Sequence, residues 1–160
     1  MKLSPIIQPT ELINLSPNKF ILFDASAGSK ARYDEKHLVG AHYIDLNTDL
    51  AEIGDFAIGG RHPLPTVEQF AKVLGQFGVE ENTHVVIYDD KNGSNAAARF
   101  WWMLRAIGHE KVQVLNGGFD AAVKAGFAVD SLKPESESKK PYPINSWQLP
   151  VVALDEVEVA

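Results

Sequence analysis

The sequence predicts an open α/β fold, a parallel sheet covered on both faces by helices. Three observations carry this. Short apolar runs alternate with longer stretches of helical periodicity along most of the chain. The most regular run, Val85-Val86-Ile87-Tyr88, has no polar interruption, as a strand buried on both faces requires. Polar residues (Asp24, Asp45, Asp90, Asn116) follow the strand runs directly, where such sheets place their binding crevice. Capping and turn formation explain the same four residues without function.

Each element has a local reason. Pro9-Thr10-Glu11-Leu12-Ile13 starts a short helix, with Thr10 as cap. Phe20-Ile21-Leu22-Phe23 reads as a buried strand ending at Asp24, and Ala41-His42-Tyr43-Ile44 as another ending at Asp45. After Pro65, Thr66 and Gln69 stand in capping-box spacing. Val67, Phe70, Ala71, Leu74 and Phe77 then recur on one helical face until Gly78. The strand Val85 to Tyr88 leads into a loop and a helix from Ala96 to Ile107. Val112 to Leu115 is a further strand, and Phe119 to Ala125 a short helix closed by Gly126.

Length and composition set the outer limits. A chain of 160 residues makes about one domain. Fifteen Lys and Arg against twenty-one Asp and Glu leave a net charge of −6, which argues against nucleic acid or an anionic membrane as partner. Cysteine is absent, so disulfides, thiolate metal sites and cysteine nucleophiles are excluded in this chain. No apolar run reaches the roughly 18–20 residues of a membrane helix, and Met1-Lys2-Leu3-Ser4-Pro5 lacks a secretory apolar region. The expected location is cytoplasmic.

Residues 1–132 form the expected domain. The proline-rich, polar stretch 133–150 reads as an extended linker across whose surface Trp147 can lie. Residues 151–160 echo Ile6 to Ile13, an apolar pair followed by a cap position, Glu and an apolar residue. The echo suggests a second copy of the domain that begins and is cut short at Ala160. Trp101 and Trp102 point about 100° apart on their helix, so one should face the core and the other an interface between domains.

Two constellations could carry chemistry. His37-Leu38-Val39-Gly40-Ala41 joins a helical turn to a strand, and His37 reads as a structural histidine bonded to a backbone carbonyl. No second ligand stands at metal spacing, so neither a metal nor a cofactor is expected. The loop Asp90-Lys91-Asn92-Gly93-Ser94-Asn95 lies between the best strand and a helix N-terminus, where free N–H groups make an anion cradle. Gly93 and Asn95 suit its tight backbone. Asp90 can itself be the anion that satisfies the donors. The spacing is not that of a Walker loop, and Gly-x-Gly-x-x-Gly is absent, so a nucleotide-binding reading ranks low.

These motifs resemble those of rhodanese-like sulfurtransferases. His37-x-x-Gly40-Ala41 is similar to the family's first signature. Asn116-Gly117-Gly118-Phe119 through Gly126 is similar to the second, with Ala122 at the usual tryptophan. Phe100 to Arg105, Gly108-His109 and Gly60 to Pro65 resemble the N-terminal halves of two-domain members. The resemblance implies a three-layer α/β/α rhodanese-like fold whose five-stranded parallel sheet has the order 1-5-4-2-3. In the family's active domain a cysteine opens the loop after the fourth strand and carries sulfur as a persulfide; that position is expected at Asp90. The implied role is an inactive N-terminal half, packed on a C-terminal catalytic rhodanese domain of the same protein. A small-molecule sulfur donor, thiosulfate or 3-mercaptopyruvate, would bind where the two meet. His62 matches a histidine of the mercaptopyruvate enzymes that belongs to a Ser-His-Asp relay, and Asn47 stands where its aspartate would be. The competing expectation is a free-standing, non-enzymatic module that binds a partner or a small anion.

Overall fold

Pleat alternation in the strands decides the layering. The computed structural model describes residues 3–159; Met1 and Lys2, from the leader reading, and Ala160, the last residue of the 151–160 echo, lie outside the described residues. The strands are β1 (Ile6–Ile7), β2 (Ile21–Asp24), β3 (His37–Leu38), β4 (Ala41–Tyr43), β5 (Val85–Tyr88), β6 (Val112–Leu115) and β7 (Val129–Asp130). Five of them form one parallel sheet in the order β1-β6-β5-β2-β4, which is the expected 1-5-4-2-3 when only its own strands are counted. Its register sets Leu22 against both Val86 and Ala41, and Ile7 against Leu115. β3 and β7 make a separate antiparallel pair, His37 opposite Asp130.

The helices are α1 (Pro9–Ile13), α2 (Lys30–Glu35), α3 (Phe56–Gly59), α4 (Val67–Gln76), α5 (Ala96–Ala106), α6 (Gly118–Lys124) and α7 (Leu154–Glu158). Phe23, Val85, Ile87, Val112 and Val114 point to one face and are buried with Phe70 and Leu74 of α4 and Phe100, Met103 and Leu104 of α5. Leu22, Val86, Tyr88 and Leu115 point to the other, with Leu12 of α1 and Ala122 of α6. Two cores on one sheet give three layers.

Most element bounds match the sequence reading within a residue. The Thr66–Gln69 capping box is present, with Gln69 N–H on Thr66 Oγ1 at 3.2 Å and Thr66 N–H on Gln69 Oε1 at 2.8 Å. Thr10 does not cap α1. Pro9 is already its first residue, and the Gln8 N–H donates to Glu11 Oε2 at 2.7 Å. The same bond opens α7, from Ala153 N–H to Glu156 Oε2 at 2.7 Å.

The 133–150 stretch has no regular structure, yet it is strapped to the body rather than loose. Lys139 N–H donates to Gly75 O at 2.8 Å and Tyr142 N–H to Ala71 O at 3.0 Å, while Gln148 N–H reaches Ala106 O. Tyr142 is buried, and its hydroxyl meets Nδ1 of the buried His109 at 2.9 Å. Trp147 stacks on Phe70 (5.7 Å) and on Trp102 (6.3 Å). This corrects the expectation for the tryptophan pair: Trp101 and Trp102 are both half-buried against the same core, and the cover of Trp102 is the chain's own strap. No helix among the described residues is long and apolar enough to cross a membrane.

Candidate functional site

The C-terminal ends of β2, β4, β5 and β6 converge on one edge of the sheet, and the loop after β5 lies at its centre. Asp89, not Asp90, is the first residue of that loop and its organising anion. Its Oδ1 accepts Lys91 N–H at 2.9 Å and Gly93 N–H at 2.7 Å; its Oδ2 accepts Asn95 N–H at 3.2 Å and Ala97 N–H at 3.1 Å. Asp89 is 1% exposed. Pleat parity explains the choice. Val85 and Ile87 face the α5 side and Val86 and Tyr88 the other, so the next residue, Asp89, points at the N-terminus of α5. Counting that parity in the sequence would have found it.

Asp90 turns to solvent instead and accepts a hydrogen bond from Ser29 Oγ at 3.0 Å. The expected backbone freedom also shifts by residue. Asn92 (φ 58°) and Gly93 (φ 81°) occupy the left-handed region, whereas Asn95, the residue preceding α5, does not (φ −121°). Ser94 closes the turn through its N–H and hydroxyl, both donated to Lys91 O. Lys91 is exposed and adds a cation beside the loop.

A cleft of about 330 Å³ opens beside Asp89, lined by Arg32, Lys36, Asp90, Asn92, Phe119 and Asp120 among others. Arg32 spans its wall. One Nη donates to Asp24 Oδ2 and to Ser26 Oγ, each at 2.8 Å, and the guanidinium lies 5.1 Å from the Phe119 ring centre. Asp24 is fully buried and also accepts Ser26 N–H, so it is a structural anion. Asp45 and Asn116 are likewise local: Asp45 Oδ1 accepts Asn47 and Thr48 N–H, and Asn116 Nδ2 donates to Gln8 Oε1. His37 has the structural role expected of it. Its ring is fully buried, stacked on Tyr33, with Nδ1 2.6 Å from Tyr33 O and Nε2 3.0 Å from Leu132 O. Among the described residues no group of histidines and carboxylates could hold a metal ion.

His62 and Asn47, fifteen residues apart, do meet. His62 Nε2 lies 3.0 Å from Asn47 Oδ1, so the neutral ring carries its proton on Nε2 and leaves Nδ1 as an acceptor. The amide fixes the orientation of the ring as a carboxylate would. What the sequence reading missed is Arg99 of α5. It donates to Leu50 O (Nε 3.1 Å, Nη2 2.8 Å) and to Pro63 O (3.3 Å), closing the base of the excursion that carries His62. Burial lowers its pKa. An arginine on a half-buried helix position without a carboxylate at helical spacing was the available signal.

Comparison with known proteins agrees with this architecture. The family model described as the rhodanese-like domain matches residues 8–125. The chain is 40% identical over 121 residues to a probable 3-mercaptopyruvate sulfurtransferase of Pseudomonas aeruginosa, covering 72% of this chain and 42% of that one. It is 40% identical over 104 residues to the thiosulfate sulfurtransferase of Cricetulus griseus, covering 64% and 34%. The solved 3-mercaptopyruvate sulfurtransferase from Leishmania major superposes with a TM-score of 0.79 at 26% identity, covering 89% of this chain and 41% of that one. The chain thus spans less than half the length of the relatives it matches. With the family model matching residues 8–125 and 40% identity to a relative over 72% of the chain's length, this chain belongs to the rhodanese-like domain family of sulfurtransferases.

Proposed function

We propose that this chain is the non-catalytic N-terminal half of a sulfurtransferase, which moves sulfane sulfur from thiosulfate or 3-mercaptopyruvate to cyanide or another thiophilic acceptor. The observation that carries the reading is the Asp89 carboxylate at the focus of the loop after β5. In the family's active domains the residue opening that loop is the persulfide cysteine. A carboxylate holds no sulfane sulfur, and here it also takes up the four N–H groups that would stabilise a persulfide.

The chemistry then falls to a C-terminal rhodanese domain of the same protein, and this chain supplies part of the cleft wall. The greater length of the curated relatives supports a two-domain parent. So does the opening that α1 and α7 share, which is in keeping with a second copy starting in residues 151–160. His62, oriented by Asn47, is the residue we place toward the donor.

The test is direct. The isolated chain with thiosulfate and cyanide is expected to give no thiocyanate above blank, and turnover would overturn the inactive assignment. Reading the gene past the codon for Ala160 tests the other part. A second His-x-x-Gly-Ala motif with a strand closed by cysteine is the expected result; a stop codon favours the free-standing module. That competitor is weakened as an anion binder, because the donors of its cradle are already satisfied by Asp89. Titration with thiosulfate, sulfite and phosphate should be silent.

A further inference from the structure

The two parts of the site, the loop after β5 and the His62–Asn47 pair, sit on different segments, yet one turn of α5 holds both. Its N-terminal end donates to Asp89: the N–H of Asn95, just before the helix, and that of Ala97 bind Oδ2. Two residues on, Arg99 reaches the opposite way and binds Leu50 O and Pro63 O. Those carbonyls flank the excursion 51–62, whose only helix is the four-residue α3, with Phe56 and Ile58 largely exposed. A segment with so little buried surface holds no shape of its own. Pro63 directly follows His62, and Leu50 is three residues from Asn47.

The guanidinium pairs with no carboxylate among the described residues. Its partners are backbone carbonyls, joined by one further base contact, Glu52 N–H on Pro63 O at 3.1 Å. A planar fork of donors suits this task, because one rigid head can hold two chain segments at a fixed separation.

We propose that Arg99 is the positioning residue of the His62–Asn47 pair, holding it in register with the Asp89 loop through the first turn of α5. The inference deepens the reading of the cleft given above, and rests on it only for the use to which His62 is put. The geometry itself can be tested without any sulfur donor.

The test uses the whole chain labelled with ¹⁵N-histidine and follows the Nε2–H signal of His62. The native chain is expected to show a protected Nε2–H held by Asn47, with N47A as the reference for its loss. Arg99→Met keeps the aliphatic stem and removes the fork; it should speed exchange of that proton with water about fivefold or more, the scale of one lost hydrogen bond. Arg99→Lys, which can still reach a carbonyl, should restore part of the protection. Ile107→Val, at the buried residue that caps the C-terminal end of the same helix, lowers stability without touching the loop. An unchanged His62 signal in folded Arg99→Met overturns the proposal, and so does equal loss of protection in Ile107→Val. If Arg99→Met does not fold, Arg99→Lys decides: protection identical to the native chain's overturns the proposal, and protection between that of the native chain and that of N47A upholds it. None of these outcomes depends on whether the chain takes part in sulfur transfer, so a failure here is distinct from a failure of the functional reading.

Discussion

Gly118 lies against the main chain of Asp89: a β-carbon at Gly118 would strike the Asp89 carbonyl oxygen, and its φ of +62° lies in the left-handed region. The second signature thus packs on the first residue of the loop it stands beside. Gly118→Ala should lower stability by about 3 kcal/mol, combining strain with displacement of that carbonyl. Urea unfolding measures the loss, and a change below about 0.5 kcal/mol would contradict the close approach.

Asp89→Asn keeps the shape of the side chain but presents an amide to N–H donors that need an acceptor. The expected cost is about 2 kcal/mol, since a buried donor loses its charged partner. Comparable stability of the two proteins in urea would show that the loop does not depend on its carboxylate.

Asp89→Cys tests what the loop can still do. Four converging N–H groups should hold the new thiol below its usual pKa of about 8.5. The thiolate would attack the sulfane sulfur of thiosulfate and release sulfite, and the persulfide would then pass that sulfur to cyanide as thiocyanate. Intact mass after thiosulfate should show one added sulfur. A variant that folds yet never loads sulfur would mean that the cradle alone is insufficient.

Trp147→Ala removes the aromatic plate that covers Phe70 and Trp102. A half-buried tryptophan of this kind is worth about 2 kcal/mol. The remaining tryptophan emission should shift to longer wavelength as Trp102 meets water. Unchanged emission would argue that the strap is not seated in solution.

Burial holds His42, His84 and His109 below the ordinary imidazole value of 6.5. At His109 the cause is clearest. The ring is buried, Nδ1 meets Tyr142 Oη, and Nε2 has no hydrogen-bond partner among the described residues; the backbone of Thr83 and Lys111 favours a charged ring, and the Arg105 and Lys111 cations oppose it. The unfolded chain takes up these protons near 6.5 and the folded chain only at lower pH. Their contribution is therefore complete above 6.5 and is lost as the pH falls from there through the folded values. The thermal midpoint should drop as the pH is lowered from 6.5, less steeply in His109→Gln. A midpoint that stays flat as the pH falls contradicts the assignment.

The parts legible in the sequence are those whose cause is local. Thr66, Gln69 and Pro65 stand within five residues, and the helix they open is where the spacing puts it. β1, β3 and β7 have two residues each and so carry no period to read. Asp89 and Asp90 are equivalent as composition, and the pleat of β5 separates them. The pairing of His62 with Asn47 came through family resemblance, since nothing local links them; the Arg99 clamp joins segments thirty-six and forty-nine residues apart and leaves no trace in spacing. The strap was hidden by its prolines and charges. Its two aromatic residues, Tyr142 and Trp147, were the sign that such a stretch had something to bury.

Because Gln148 is tied to Ala106, only residues 149–153 separate the anchored body from α7. A flexible run of roughly five residues spans ~12 Å on average, against ~25 Å for the roughly twenty of 133–153. The strap shortens the leash, so α7 itself is kept at high effective concentration near the C-terminal end of α5.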